Sequence, residues 1–172
     1  MTAPVLLAVL GPTASGKSAL GVALAERFSG EIVSCDSTAV YRGFDIGTDK
    51  VPADQQHHIP HHLLDVVDAS SEYSAADYAR DAMAAIQAIR DRGRMPILVG
   101  GTGFYYRALT RGLFPGPARD DEIRRRLYAL AGRRGVERLH RLLAHLDPPS
   151  AVRIQPKDLV RIVRALEVYL IS

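Results

Sequence analysis

Eight consecutive residues, Gly11-Pro12-Thr13-Ala14-Ser15-Gly16-Lys17-Ser18, have the types and spacing needed to hold phosphate. They match G-x-x-x-x-G-K-[ST] at every fixed position. Glycines let backbone N–H groups turn inward around phosphate oxygens, a following helix adds the positive end of its dipole, and Lys17 adds a full charge. The Ser18 hydroxyl is the expected Mg²⁺ ligand. A glycine-rich turn with no ligand is the plain alternative. The motif names a ligand class and leaves the reaction open, because kinases, NTPases and prenyl transferases can all use it. A standard NTPase would place an aspartate at the end of a neighbouring buried strand to hold Mg²⁺. Here the buried run Pro96–Val99 ends in Gly100-Gly101. The acid must come from elsewhere, and Asp36 is the natural candidate.

These residues need elements to position them. Val5–Leu10 is a short apolar run that ends in a Gly-Pro turn, and Lys17–Phe28 carries apolar residues at helical spacing, which gives strand, loop and helix around the phosphate motif. Gly30 marks a helix stop, and Glu31–Cys35 reads as a second strand leading into Asp36-Ser37. Tyr41–Pro60 is rich in Gly, Asp, Pro and His with no clear period, which predicts a long loop closing over a site. Ser74 supplies an N-cap with Asp77 three residues later, and an Ala-rich helix should run to about Arg92 before Gly93 stops it. Pro96–Val99 is a third strand, followed by the helical segment Phe104–Leu109. Strands alternating with helices predict an α/β fold, a P-loop NTPase-like parallel sheet flanked by helices. From Pro115-Gly116-Pro117 onward the chain changes to charged helices, Asp120–Ala131 and Val136–Leu146, closed by Asp147-Pro148-Pro149-Ser150. Leu159–Ile171 is a last apolar-rich helix. The expected organisation is a core at 1–115, a helical RNA-binding insertion at 116–150, and a helix at 151–172 leading into further chain.

Composition narrows the class. At 172 residues and 47% apolar, the chain is long and greasy enough for a packed core. No run of about 18 apolar residues suggests a membrane span, and Met1-Thr2-Ala3-Pro4 lacks a basic signal region, so a cytoplasmic protein with no membrane contact is expected. Cys35 is the single cysteine, which excludes an intrachain disulfide and a cysteine-based zinc site. Charge is divided unequally. Up to Tyr106 there are 8 Lys/Arg against 12 Asp/Glu, a net −4, and beyond it 14 against 7, a net +7. The second part, mostly arginine, suits a polyanionic partner, although a solvated face of arginine-rich helices would read the same way.

Five ordered blocks resemble the tRNA dimethylallyltransferases. They are the phosphate loop at 11–18, Asp36-Ser37 with Val40-Tyr41-Arg42-Gly43 and Asp45-Ile46-Gly47-Thr48, Tyr73-Ser74-Ala75-Ala76-Asp77-Tyr78, Gly100-Gly101-Thr102-Gly103-Phe104-Tyr105, and Arg164-Ala165-Leu166-Glu167-Val168. The resemblance implies transfer of a dimethylallyl group from dimethylallyl diphosphate to the exocyclic amine of the adenine 3′-adjacent to the anticodon, with release of diphosphate. The phosphate loop would then hold the prenyl donor with Mg²⁺, although its physics suits ATP equally. Because the adenine lone pair is delocalised, a carboxylate that removes a proton during attack lowers the barrier, and Asp36 is assigned that role. A Mg²⁺ ligand or an N-terminal cap is the other reading of Asp36. Thr102 is expected to hydrogen-bond the base or the bridging oxygen, or else to act as a structural turn hydroxyl. Lys17 would stabilise charge on the departing diphosphate.

The resemblance also places contacts to the tRNA anticodon stem-loop on Asp36, Ser37, Thr38 and Ala39, on Thr102 and Arg124, and on Val160, Arg161, Ile162, Val163 and Arg164. Arg161 and Arg164 would share a helix face, and ordinary ion pairs with Asp158 and Glu167 are the competing use. Chains of the family continue past the last block, so a diphosphate-binding fragment without catalysis is a further alternative, beside a nucleotide or small-molecule kinase and an adenylate prenyltransferase. A monomer is expected. The run His57-His58-Ile59-Pro60-His61-His62 invites a metal assignment, but Pro60 enforces an extended backbone and no clustered acid completes a shell, so a site-lining loop is the simpler reading. Tyr105-Tyr106 reads as a buried aromatic helix face.

Overall fold

A computed structural model describes residues 6–46, 48, 50–113 and 116–172. They divide into two compact units, with the boundary between Leu113 and Phe114. Val5, Gly47 and Pro115, each part of an expected element or block, lie outside the described residues.

The first unit contains β1 (Leu7–Leu10), α1 (Lys17–Phe28), β2 (Gly30–Cys35), β3 (His61–His62), α2 (Ala75–Asp91), β4 (Met95–Gly100) and α3 (Gly103–Arg111). The strands form one sheet in the order β1-β4-β2-β3, and every pairing is parallel. This is the parallel sheet that the alternation of strands and helices implied. Its register brings Leu10, Gly100 and Cys35 level, so three chain segments leave the sheet side by side. Successive side chains of a strand face opposite layers. Val33, Cys35 and Leu98 therefore pack with α2 and α3 around Tyr78, Ala82, Ile86 and Ile89. Ile32, Ile97 and Val99 pack on the other face against Val22 and Ala25 of α1. Gly100 cannot carry a side chain in this register, since a Cβ there would lie 2.2 Å from the Cys35 carbonyl oxygen.

Local chemistry sets the helix ends. Ser74 and Asp77 form a reciprocal capping box at the start of α2, with Ser74 Oγ accepting from Asp77 N at 3.2 Å and Asp77 Oδ2 accepting from Ser74 N at 3.1 Å. Two elements depart from expectation. A two-residue strand, β3, follows the long loop and pairs His61 with Ile32. The Asp-Pro-Pro-Ser segment, read as a terminator, opens a new helix instead, because proline is well suited to the first helical turn and Asp147 Oδ1 caps it by accepting from Ser150 N at 3.1 Å.

The second unit holds α4 (Asp121–Arg134), α5 (Val136–Leu146), α6 (Pro148–Arg153) and α7 (Leu159–Ile171). All four contribute to one cluster that includes Leu127, Ala131, Leu139, Leu143, Ala151, Ile162, Val163 and Leu166. The final helix thus shares its core with the preceding three.

Candidate functional site

The phosphate motif connects β1 to α1 across a backbone with two left-handed residues, Ala14 at φ 62° and Gly16 at φ 78°. Gly11 N donates to Gly100 O at 3.3 Å, which ties the loop to the end of β4. Pro12 to Gly16 are exposed, whereas Lys17 is buried, at 9% exposure, with its Nζ donating to Pro12 O at 3.1 Å. The lysine therefore lies under an open loop.

A cavity on the α1 side of the sheet is lined by Lys17, Ser18, Ser34, Asp36, Lys50 and His61, with Ile32 and Val99 among its apolar walls. Asp36 and the phosphate-loop lysine and serine thus share one space, while β4 offers glycine at the place where a strand-end aspartate would stand. Asp36 Oδ1 accepts from Thr38 N at 2.8 Å, Thr38 Oγ1 at 2.7 Å and Ala39 N at 3.2 Å. One oxygen of the carboxylate is committed to its own turn, and Oδ2 takes none of these bonds. Thr102 bridges two strand ends. Its N donates to Cys35 O at 3.0 Å, and its Oγ1 accepts from Ser37 N at 3.0 Å and donates to Ser37 Oγ at 3.3 Å. The hydroxyl thus holds the turn that carries Asp36. Ser37 is half-buried, Thr38 exposed and Ala39 buried.

The donor set can be tested against a divalent cation. Among the described residues no group of three or more His, Cys, Asp or Glu is arranged to hold a metal. A serine hydroxyl and one carboxylate in a cavity beside a phosphate-loop motif nevertheless fit a hard divalent cation such as Mg²⁺, which keeps water and takes few protein ligands in preference to an all-protein cage. Three histidines of the 57–62 run, His57, His61 and His62, have separate partners. His57 Nδ1 meets Glu26 Oε1 at 2.9 Å, His61 Nδ1 meets Ile59 O at 2.8 Å and His62 Nε2 meets Glu31 Oε2 at 2.6 Å. Burial lowers the pKa of His61, and its Nε2 is the one buried side-chain polar atom without a partner among the described residues. Burial raises the Tyr105 hydroxyl to about 12 and Tyr78 further still, so these stacked rings, 4.2 Å apart, are core and not bases.

The family model described as IPP transferase matches residues 39–172. The chain belongs to the IPP transferase family. It is 56% identical over 169 residues to a tRNA dimethylallyltransferase of Halorhodospira halophila, covering 98% of this chain and 54% of that protein. A full-length tRNA isopentenylpyrophosphate transferase from Bacillus halodurans superposes with a TM-score of 0.65 at 43% identity, over 99% of this chain and 56% of the other. A eukaryotic dimethylallyltransferase acting on tRNA gives 0.74 at 33% identity, over 96% and 41%. The chain spans about half the length of the curated relatives it matches.

In the second unit, the residues expected to touch RNA fall into three groups. Ile162 and Val163 fill the core at 0% and 1% exposure, while Val160 and Arg161 are exposed. Arg124 is engaged on Glu167 through Nε at 2.9 Å and a second nitrogen at 3.0 Å. Arg164 donates to Glu167 at 2.6 Å and to Pro117 O at 2.9 Å. Asp120 N adds a fourth bond to the same carboxylate at 2.7 Å. Burial pushes the Glu167 carboxyl up, and hydrogen bonds from Arg124, Arg164 and Asp120 outweigh it and hold the pKa at about 2. Arg161 forms the expected i,i+3 pair with Asp158 at 3.2 Å and stays exposed. Lys50 also lines the cavity of the first unit, and its signal in the sequence is a lysine two residues beyond the Asp45-Ile46-Gly47-Thr48 block in a loop with several aspartates.

Proposed function

We propose that this chain carries the donor-binding and catalytic part of a tRNA dimethylallyltransferase. The observation that supports it is the shared cavity of Lys17, Ser18 and Asp36 beside a strand that ends in glycine. The phosphate loop holds the diphosphate of dimethylallyl diphosphate. The Ser18 hydroxyl would hold Mg²⁺, which when bound would supply charge neutralisation of the leaving group. The N6 amine of the adenine 3′ to the anticodon attacks the allylic carbon, a C–N bond forms and the C–O bond to diphosphate breaks. Asp36 takes the proton that N6 loses, through the oxygen its turn leaves open. Thr102 acts through Ser37 by fixing that turn, and Lys17 stabilises the departing charge.

The adenine must leave its stacked loop to reach such a cavity. The exposed Thr38 and half-buried Ser37 form the reading edge for the base, and Val160, Arg161 and neighbouring exposed arginines of the second unit meet the RNA backbone. A monomer in the cytoplasm suits this role. The deciding experiment is calorimetric binding of dimethylallyl diphosphate and of ATP, each with Mg²⁺, to the wild-type chain and to Lys17→Ala. Tighter binding of the prenyl donor that is lost in the variant supports the reading. A preference for ATP transfers the site to phosphoryl transfer.

A further inference from the structure

Lys50 is a second lysine on the cavity that holds Lys17 and Ser18, and its side chain is only 8% exposed. Its place suggests a second phosphate ligand. Its bonding argues for another role. Lys50 Nζ lies 2.6 Å from Asp65 Oδ1, 2.7 Å from Tyr41 O and 3.0 Å from Asp45 Oδ1. An ammonium has three N–H groups, so each has an acceptor. The cluster of one cation and two carboxylates carries a net −1, which repels a diphosphate. Burial alone would lower the Lys50 pKa, but the hydrogen bonds to Asp65 and Asp45 outweigh it and raise the value above that of an ordinary lysine. The group stays charged and bound where it is.

Its acceptors belong to a chain of bonds that ends at Asp36. Asp65 N donates to Ala39 O at 3.1 Å, and Val66 N and Val67 N donate to Val40 O at 2.8 and 3.1 Å. Arg42 Nε reaches Asp65 O at 2.9 Å. Ala39 N in turn donates to Asp36 Oδ1 at 3.2 Å. We propose that Lys50 is a positioning residue that clasps residues 41–45 to Asp65, holds the Asp36 turn in place through Asp65 and Ala39, and contacts no phosphate itself.

The test uses Lys17→Met, Lys50→Met, and Lys50→Met combined with Asp45→Asn and Asp65→Asn, with Mg²⁺ and inorganic diphosphate as the probe. Two quantities are read: diphosphate affinity by calorimetry and amide hydrogen exchange at Asp65, Val66 and Val67. Lys17→Met should weaken diphosphate about 10- to 100-fold, the effect of losing a charged hydrogen bond. Lys50→Met should speed exchange at the three amides about tenfold and also weaken diphosphate, because two carboxylates are left uncompensated. Neutralising both carboxylates should return diphosphate affinity to within about threefold of wild type while exchange stays fast. That split separates a clasp from a ligand. Unchanged exchange in Lys50→Met overturns the proposal, as does a triple variant that binds as poorly as Lys17→Met. The binding arm rests on the diphosphate reading of the loop. If wild type binds no diphosphate, that reading fails, and the exchange arm alone decides the role of Lys50.

Discussion

Replacing Glu167 with glutamine should unsettle the helical unit by an amount that depends on pH in a calculable way. Its carboxylate is fully buried and receives four hydrogen bonds, from Asp120 N, two nitrogens of Arg124 and one of Arg164. The folded pKa is about 2 against an ordinary glutamate value of 4.5. A gap of about 2.5 units at 1.36 kcal/mol per unit corresponds to roughly 3 kcal/mol of stability at neutral pH. Because the folded pKa is depressed, this contribution is complete above about pH 4.5 and is lost as pH falls toward about 2. Linkage gives about 1.4 kcal/mol remaining at pH 3. Urea denaturation of wild type and Glu167→Gln, followed by circular dichroism at pH 7, 5 and 3, reads this out. The two curves should lie about 3 kcal/mol apart at pH 7 and 5 and should converge markedly at pH 3. A gap below about 1 kcal/mol at pH 7, or one that is constant across the series, would refute the reasoning. The result would show that the two arginines do not hold this carboxylate.

Other expectations follow from the same geometry. Arg124→Ala should lower the melting temperature with little change in the salt dependence of RNA binding, whereas Arg161→Ala should reduce the salt slope by about one with stability unchanged; the opposite pattern would reassign both side chains. Thr102→Val removes the acceptor for Ser37 N and should cost about 1–2 kcal/mol by chemical denaturation, with Thr102→Ser restoring most of it. Gly100→Ala forces a Cβ against the Cys35 carbonyl and should yield a chain that fails to melt cooperatively; a normal thermal transition would show that the β2–β4 register is looser than described. Ser74→Ala should cost α2 about 1 kcal/mol, with Ser74→Asp close to wild type in the same denaturation assay.

Much of this arrangement was legible because it rests on local chemistry. The phosphate loop, the alternation of strands and helices and the Ser74 cap each depend on residues a few positions apart, and the absent aspartate after Val99 directed attention to Asp36. What escaped prediction depends on distance along the chain or on brevity. The strand at His61–His62 has two residues, too few to show a period, and exists because Ile32 offers it an edge. The Glu167 cluster was half visible, since Arg164 stands three residues away, but Arg124 arrives from 43 residues earlier. Lys50 meets Asp65 from 15 residues away, a pairing that no local pattern announces. Ile162 and Val163, which the resemblance implies as RNA contacts, are buried in the core of the helical unit, a burial that their apolar character makes legible in the sequence.

The level strand ends have a consequence for how the site comes into being. The phosphate loop follows Leu10, Asp36 follows Cys35 and Thr102 follows Gly100 by two residues, and the pairings Leu10↔Gly100 and Cys35↔Gly100 set their heights. A slip of one residue in β4 would move Thr102 by about 3.3 Å and turn each β4 side chain to the opposite layer. The cavity therefore has no adjustable intermediate. It depends on the three strands being in register, so single-residue insertions or deletions within β2 or β4 should disrupt both the core and the cavity, and changes of length between β2 and β3 reach the cavity as well, because that stretch carries Asp36 and Lys50.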